Sequence, residues 1–355
     1  MSLPPSEIPL GAIRFNSDSN KLEYWMGSAW MQVKTFSPNL GMPSAGSNVG
    51  ARGLILGGDS VLKIDYFNIA SQGNAQDFGD IANVTYQQAS FGSNTRGFVA
   101  GGAGPSVNPD NIIEFVTFST TGNATDFADL TQARRNPSGC SNQTRGVITG
   151  GANVNELSAY NTMDYVTMTS SGNAVDFGDR TITVFTSTGG INSSTRGVFA
   201  GGVNSAPGYD EYNIIDFITI ASTGNAVDFG DLNKKLAAPA GTSNSVRGLI
   251  AGGSPNISPA QDLVDDITFL TIASGGNSVE FGNLVAEYNL GHSAGTGDAT
   301  RAVFCCGYVE PAPSATSNVI QYVTFATGGD AVDFGDAVYA ERYRSAQSNA
   351  HGGLG

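Results

Sequence analysis

The stretch that decides the fold is residues 196–202, RGVFAGG, together with residues 215–231, IDFITIASTGNAVDFGD. Both segments recur six times in the 355 residues, about 50 residues apart. The first segment also stands as RGLILGG from Arg52, RGFVAGG from Arg96, RGVITGG from Arg145, RGLIAGG from Arg247 and, in altered form, RAVFCCG from Arg301. A tandem period of this length predicts a repeat architecture such as a propeller, in place of two or three unrelated domains.

The spacing inside the repeat separates a rigid framework from a variable loop. In every copy, the position of Gly73 follows that of Asp65 by eight residues, and the position of Phe78 follows by five more. The connection between the Gly-Gly doublet and the Asp65 position instead varies from 6 to 14 residues. Because a packed unit keeps its length and a surface connection need not, this connection is predicted to be the variable loop.

Each framework piece has the pattern of a short β-strand. Runs such as DYVTMTS and DFITIAS alternate β-branched or aromatic residues with polar ones. The Gly-Asn pair predicts a turn, and the stretch ending in Ser-Asn before each arginine predicts one further strand. Four strands in a unit of about 50 residues predict an all-β fold, a single β-propeller of four-stranded blades.

The repeat resembles the kelch repeat. Kelch blades carry a Gly-Gly doublet after the second strand, an aromatic residue on the third strand and another on the fourth, and Gly201, Gly202, Phe217 and Phe229 stand in those places. The resemblance covers about residues 41–355 and implies a propeller that binds partners through its loops.

The ends of the chain are predicted to close the ring, since an open propeller would expose two sheet edges. We divide the chain into residues 1–40, an N-terminal arm with a β-hairpin, and residues 41–355, the propeller repeats. Seven blades are favoured, with residues 12–34 and 342–355 joined in the last blade. The alternative is six blades, with the hairpin docked onto another subunit.

Composition excludes several classes of partner. The net charge is −14, which opposes binding to nucleic acid and to membrane surfaces, since both need clustered Lys and Arg. The N-terminus lacks the basic and apolar regions of a signal peptide, and no apolar run is long enough to cross a membrane. Three cysteines are too few for a disulfide framework in a chain of this length and are predicted to be free thiols.

Two charged sets recur at fixed places in the framework. We interpret them as structural clamps, because a role repeated six times belongs to the repeat unit; a ring of ion sites is the alternative. The arginines are Arg52, Arg96, Arg145, Arg196, Arg247 and Arg301, and the acids are Asp77, Asp126, Asp176, Asp228, Glu280 and Asp333. The Asp-Phe-Gly triplet also occurs in protein kinases, but the other kinase motifs are missing here.

No catalytic cluster is predicted, because the chain has two histidines and its acids recur at equivalent positions. No metal ligand set and no cofactor are predicted, although calcium on the Asp-rich turns stays open. The variable loops, residues 103–113, 152–163, 203–215, 254–267 and 308–320, are the candidate binding surface. Within them, the candidates for contact with sugars or proteins are Tyr160, Tyr209, Asp210, Tyr212 and Tyr308.

A second resemblance concerns function. GNAVDFGDL-type repeats beside the N-terminal GAIRFNSDSNKLEYWMGSAW hairpin are similar to structural proteins of marine tailed phages. The resemblance implies a non-enzymatic module of a virion tail, neck or fibre. Its implied partners are other virion proteins and a host surface glycan or receptor, and its implied location is the virion. The alternatives are a non-viral kelch-like adaptor and, third, a glycan-active propeller enzyme.

Overall fold

In a computed structural model of the chain, the structure describes residues 8–16, 21–32, 50–59, 61–82, 86–104, 109–153, 158–186, 189–204, 210–256, 262–285, 294–309 and 315–354. Within these ranges the strands form seven antiparallel sheets, one of three strands and six of four or five. The chain divides into two compact units, residues 1–38 and 39–355. No helix in the described ranges is long and apolar enough to span a membrane.

The N-terminal unit contains the three-stranded sheet, made of β1 (Ile13–Asn16), β2 (Lys21–Trp25) and β3 (Trp30–Gln32). Arg14 of β1 contacts both other strands, because its guanidinium pairs with Glu23 of β2 at 2.9 Å and lies 4.2 Å from the centroid of the Trp30 ring of β3.

The second unit contains the repeats, and each repeat forms one sheet. The strands of the first three sheets are β4 (Arg52–Leu56), β5 (Lys63–Asn68) and β6 (Gln76–Asp80); β7 (Ala89–Gly92), β8 (Arg96–Ala100), β9 (Ile112–Thr117) and β10 (Thr125–Asp129); and β11 (Ser138–Ser141), β12 (Arg145–Thr149), β13 (Ala152–Asn153), β14 (Ser158–Thr167) and β15 (Val175–Val184). The strands of the next three are β16 (Ile191–Asn192), β17 (Arg196–Val203), β18 (Glu211–Thr219) and β19 (Val227–Asp231); β20 (Ala240–Ser243), β21 (Arg247–Ala251), β22 (Asp266–Thr271) and β23 (Val279–Asn283); and β24 (Ala294–Gly297), β25 (Arg301–Val309), β26 (Ala315–Thr324) and β27 (Val332–Asp336).

The last strand, β28 (Ser345–Ser348), completes the first sheet. It pairs antiparallel with β4, and Ser345 lies opposite Leu56 while Ser348 lies opposite Gly53. The prediction that residues 342–355 share a blade with residues 12–34 is therefore wrong. The repeats form six sheets in the described ranges. The seven-blade prediction assigned β28 to a further blade, but β28 pairs with the edge of β4 and so belongs to the first sheet.

Backbone contacts between neighbouring sheets explain the Asp-Phe-Gly and Gly-Asn motifs. The N–H of Gly224 donates to the carbonyl oxygen of Phe177 at 2.7 Å, and the Asn225 side chain accepts from the N–H of Asp179 at 3.1 Å. Gly178 stands at this approach with φ +139°, and a Cβ atom there would overlap the carbonyl oxygen of Gly224. The glycine is needed where the outer strand of one sheet meets the turn of the next.

The hydrophobic core is divided among the gaps between neighbouring sheets. Phe177 of the third sheet packs with Phe199 and Ile218 of the fourth. The same arrangement joins the sixth sheet to the first, where Phe334 packs with Phe67 at a ring-centroid distance of 5.4 Å. Each sheet thus buries apolar residues on both of its faces, as in propeller-like folds.

Candidate functional site

The six repeat arginines lie between neighbouring sheets. Arg196 Nη1 donates to the carbonyl oxygens of Ile272 at 2.9 Å and Ala273 at 2.8 Å, and the guanidinium lies 4.7 Å from the centroid of the Phe217 ring. The others make the same carbonyl and ring contacts: Arg52 with Phe118 and Tyr66, Arg96 with Met168 and Phe115, Arg145 with Ile220 and Tyr165, Arg247 with Phe325 and Phe269, and Arg301 with Ile69 and Tyr322. Each arginine ties its own sheet to the next one.

The acids of the second repeated set lie away from these arginines. All six are exposed, and among the described residues no ion pair joins them to a repeat arginine: Asp77, Asp126, Asp176, Asp228, Glu280 and Asp333. The repeat arginines therefore clamp neighbouring sheets by hydrogen bonds, without the acids. An aromatic ring and a carbonyl oxygen take the place of the acid.

Three other acids form buried ion pairs. They stand at the position of Asp65 in their repeats, and their side chains and those of their partners are at most 1% exposed: Asp65 with Arg344 at 2.7 Å, Asp164 with Arg134 at 3.0 Å, and Asp216 with Arg180 at 2.8 Å. Burial raises the pKa of the Asp65 carboxyl, and the Arg344 guanidinium opposes that rise. A buried charge needs such a partner, so these pairs are structural.

The predicted loop residues do not converge. Tyr160 lies in β14 with Arg134 5.7 Å from its ring centroid. Asp210 is exposed and bonds with Asn204 of its own loop. The remaining two described candidates, Tyr212 and Tyr308, lie in β18 and β25. Tyr209 lies outside the described residues, and Tyr308 alone joins the cluster described below.

A cavity of about 110 Å³ lies between the inner strands of the six repeat sheets. Gln88, Ser90, Ser138, Arg344 and Ser345 contribute its polar lining, and glycines, prolines and alanines contribute the rest. These residues stand at or just before the beginnings of the inner strands. Because neighbouring strands are antiparallel, the variable loops leave the sheets at this same end.

His351 lies at the other end of the inner strands. Its Nε2 atom is 2.8 Å from the carbonyl oxygen of Gly92, and Nδ1 accepts from the N–H of Gly353 at 3.2 Å and lies 2.9 Å from Asn192 Nδ2. Burial lowers the pKa of His351 to about 4, and the hydrogen bond to Gly92 opposes this shift. The neutral imidazole of His351 lines a second, smaller space of about 20 Å³ between the inner strands, together with Gly92 and Asn192.

A cluster of aromatic and charged side chains stands beside the cavity at the variable-loop end. We call it the rim cluster, and its members are Asp59, Tyr86, Tyr308, Arg342 and Tyr343. The Tyr343 ring lies 6.1 Å from that of Tyr86 and 6.2 Å from that of Tyr308. Arg342 lies 4.8 Å from the Tyr308 ring and 5.0 Å from the Tyr343 ring, and its Nε and Nη2 donate to Asp59 Oδ2 at 2.9 and 2.7 Å. All five are partly exposed.

The backbone at the rim is held in an unusual conformation. Gln87, Asn136 and Tyr343 have φ of +60°, +55° and +58°, which is uncommon for residues other than glycine. Backbone hydrogen bonds link them across sheets, from Gln87 N–H to Tyr343 oxygen at 3.2 Å and from Asn136 N–H to Gln87 oxygen at 2.8 Å. Ala238 takes a φ of +48° at the same place in its repeat, so this conformation belongs to the repeat unit.

The electrostatics of Tyr343 reflect these neighbours. Burial raises the pKa of its phenol, Arg342 and Arg135 oppose the rise, and Asp59 adds to it. Arg135 itself stacks on Phe185, with 5.2 Å from the guanidinium to the ring centroid. Two arginines, an acid and a phenol thus act on one another at the rim.

Sequence reasoning missed the rim cluster because it rested on positions that repeat. The rim cluster is instead marked by residues that differ between repeats. The tripeptides YQQ at 86–88, RNP at 135–137 and RYR at 342–344 occupy one place in the repeat, immediately before the inner strand, yet share no pattern. Different polar residues at equivalent framework positions indicate a role outside the repeat unit.

Metal chemistry finds little support in the described residues. They contain no group of three or more His, Cys, Asp or Glu placed to hold a metal ion. Cys140, Cys305 and Cys306 are buried free thiols, and Cys306 takes a φ of +61° at the place where other repeats have glycine.

Neither a protein-family model nor a curated protein sequence matches the chain. Solved structures do match it. One of them is the structure of YjhT, which superimposes with a TM-score of 0.61 at 9% sequence identity and covers 74% of this chain and 87% of that chain. At this identity the likeness shows the fold alone, an all-β propeller-like fold of four-stranded sheets.

The comparison corrects the functional prediction from the sequence. The likeness to YjhT is one of fold, and the comparison provides no link to phage proteins. The predicted class, a non-enzymatic structural module of a virion, is therefore wrong, and so is the exclusion of enzyme activity. The rim cluster also supplies the convergent, non-equivalent groups that the sequence analysis did not find. The virion location stays a prediction.

Proposed function

We propose that the chain is a six-bladed propeller that acts on a glycan bound at the rim cluster. The observation that carries the proposal is the convergence of Tyr86, Tyr308 and Tyr343 with the Arg342–Asp59 pair beside the cavity. Tyrosine rings pack against the apolar faces of sugars, and a partly exposed Arg–Asp pair offers donors and acceptors to hydroxyl groups. The likeness to YjhT supports the propeller-like fold on which this site is built.

The ring and the repeat type are the finer parts of this proposal. Phe334 of the sixth sheet packs on Phe67 of the first, and β28 pairs with β4, which supports closure into six blades. The kelch-like assignment is supported by Gly201 at φ +61° and by the 5.9 Å contact between the Phe217 and Phe229 rings.

The chemistry that these residues offer is general acid–base catalysis. Asp59 is the candidate base, because its carboxylate is held in place by two hydrogen bonds from Arg342. Tyr343 is the candidate second group, because its phenol lies within the field of both arginines and of Asp59. Most glycoside hydrolases place two carboxyl groups on either side of the reacting carbon, and here a carboxylate and a phenol would take those places.

The test is turnover of a panel of sialosides, other glycosides and free sugars, followed by NMR so that hydrolysis and isomerisation are both seen. Asp59→Asn and Tyr343→Phe are each expected to lower kcat by about 100-fold or more. The matched controls are Asp77→Asn and Tyr66→Phe, which change the same atoms outside the rim cluster and should retain activity. Turnover that survives both rim substitutions, or no turnover on any sugar, would refute the proposal.

A further inference from the structure

One face of the N-terminal three-stranded sheet is apolar and exposed. Ile13, Tyr24 and Met31 lie opposite one another across β1, β2 and β3, so their side chains share one face of the sheet. Phe15 and Met26 each follow a member of this row by two residues and point to the same face. The exposed fractions of Ile13, Phe15, Met26 and Met31 are 66%, 63%, 54% and 47%. We call these five side chains the apolar face.

The opposite face of the same sheet already has its partners. Arg14 pairs with Glu23 there and lies over the Trp30 ring. Trp25 is buried, and its ring centroid lies 5.4 Å from that of Trp30. The charged and aromatic side chains of that face therefore contact one another within the sheet, whereas the apolar face is directed to solvent.

The exposed apolar residues of the N-terminal unit differ from those of the repeats. In the part of the chain that the structure describes, the large apolar residues that the repeats expose are all valines. Every exposed Leu, Ile, Phe and Met of that part lies in residues 1–38: Leu10, Ile13, Phe15, Met26 and Met31. Large apolar side chains gathered in one exposed region mark an interaction surface.

The distribution of charge selects the partner. Residues 1–38 have three Lys or Arg and three Asp or Glu, so the whole net charge of −14 belongs to residues 39–355. Two copies of the chain therefore repel each other through their repeats, whereas their N-terminal units meet without net repulsion. A second copy is thus best approached through the apolar face.

The size of the apolar face fits a pair of copies. Four side chains exposed by about half to two thirds, with part of Tyr24, present on the order of 500 Å². Two such faces in contact would bury about 1,000 Å², the area at which specific interfaces begin. The contact should therefore form at high protein concentration and dissociate on dilution.

We propose that the apolar face binds the apolar face of a second copy of the chain, forming a dimer with twofold symmetry. Both copies contribute the same residues to such a contact, so assembly stops at two chains and does not continue into a fibre. The inference is independent of the rim cluster, and glycan turnover neither requires it nor tests it.

The experiment is sedimentation-velocity ultracentrifugation of the full chain over a wide range of concentrations. At the highest concentration, the mass should approach twice the chain mass of 36.6 kDa. Ile13→Glu combined with Phe15→Glu should weaken the dimer about 100-fold or more, because the contact would bury unpaired carboxylates. The matched control, Val175→Glu combined with Val227→Glu, adds the same charge at exposed positions of β15 and β19 and should change dimerisation less than about twofold.

Tryptophan fluorescence shows whether a variant keeps the sheet. The two tryptophans of the chain, Trp25 and Trp30, both lie on the face opposite to the apolar face, so their emission should match that of the parent chain. If the double variant loses this emission, Met31→Glu on β3 takes its place. A parent chain that stays monomeric or grows beyond two copies, or a folded variant that dimerises as well as the parent, would overturn the inference.

Discussion

Arg301 of the sixth repeat donates a hydrogen bond of 2.9 Å to the carbonyl oxygen of Ile69 in the first repeat, 232 residues away in sequence. The same type of bond ties each earlier repeat arginine to a neighbouring sheet, as Arg196 does with Ile272 at 2.9 Å. One contact, repeated along the chain, therefore also links its two ends. The stability of the sheet assembly is expected to depend on it.

Arg196→Ala should lower the free energy of unfolding by roughly 1–2 kcal/mol, because it removes a charged hydrogen bond and a cation–π contact at a partly exposed site. Chemical denaturation measures this change. Asp228→Asn is the control, because that exposed acid is not the arginine's partner and its loss should stay within about 0.5 kcal/mol. If both variants lost the same free energy of unfolding, an ion pair between the arginine and the acid would be the better explanation.

Asp216→Asn should be far more damaging, costing about 3–5 kcal/mol, since Arg180 would remain as a buried charge without its carboxylate. The double variant Arg180→Met, Asp216→Leu should recover most of this loss. Thermal unfolding of the single and double variants checks it. A double variant no more stable than Asp216→Asn would show that the pair does more than balance charge.

Stability should fall as the pH drops from about 6.5 toward 4, because His351 is neutral in the fold with a pKa of about 4. In this range the unfolded chain binds a proton that the folded chain does not, so acid favours unfolding. The loss approaches about 3 kcal/mol at low pH. His351→Gln should remove this part of the pH dependence and leave the part that carboxylates contribute. If stability fell with pH in parallel for the variant and the parent chain, the role given to His351 would be wrong.

Gly353→Ala should release residues 351–354 from the inner strands, because a Cβ atom would overlap the carbonyl oxygen of Ser141. Hydrogen exchange at these residues should become faster. Leu354→Ala is the control, since that residue is partly exposed. Unchanged protection in Gly353→Ala would mean that the strands can adjust to the added methyl group.

Much of the repeat sheet was predicted from local pattern. The strands around Asp216 and Phe229, the turn at Gly224 and the variable loop follow from alternation, from Gly-Asn and from constant spacing. The loop residues were less informative, because Tyr308 joins the rim cluster whereas Tyr212 lies within a paired strand. Composition predicts that loops bind partners, but not which loop side chains meet.

The sequence by itself determined the strand pattern, the sheet class and the repeating contacts, since these depend on hydrogen bonds and packing within one unit or between identical neighbours. Only the tertiary structure decided that Ser345–Ser348 pairs with Arg52–Leu56, that Arg344 meets Asp65, and that Tyr86, Tyr308 and Tyr343 converge. Apart from the Tyr308–Tyr343 contact, these contacts join residues hundreds of positions apart. Their partners are selected by the geometry that brings the ends of the chain together, and no local pattern records that geometry.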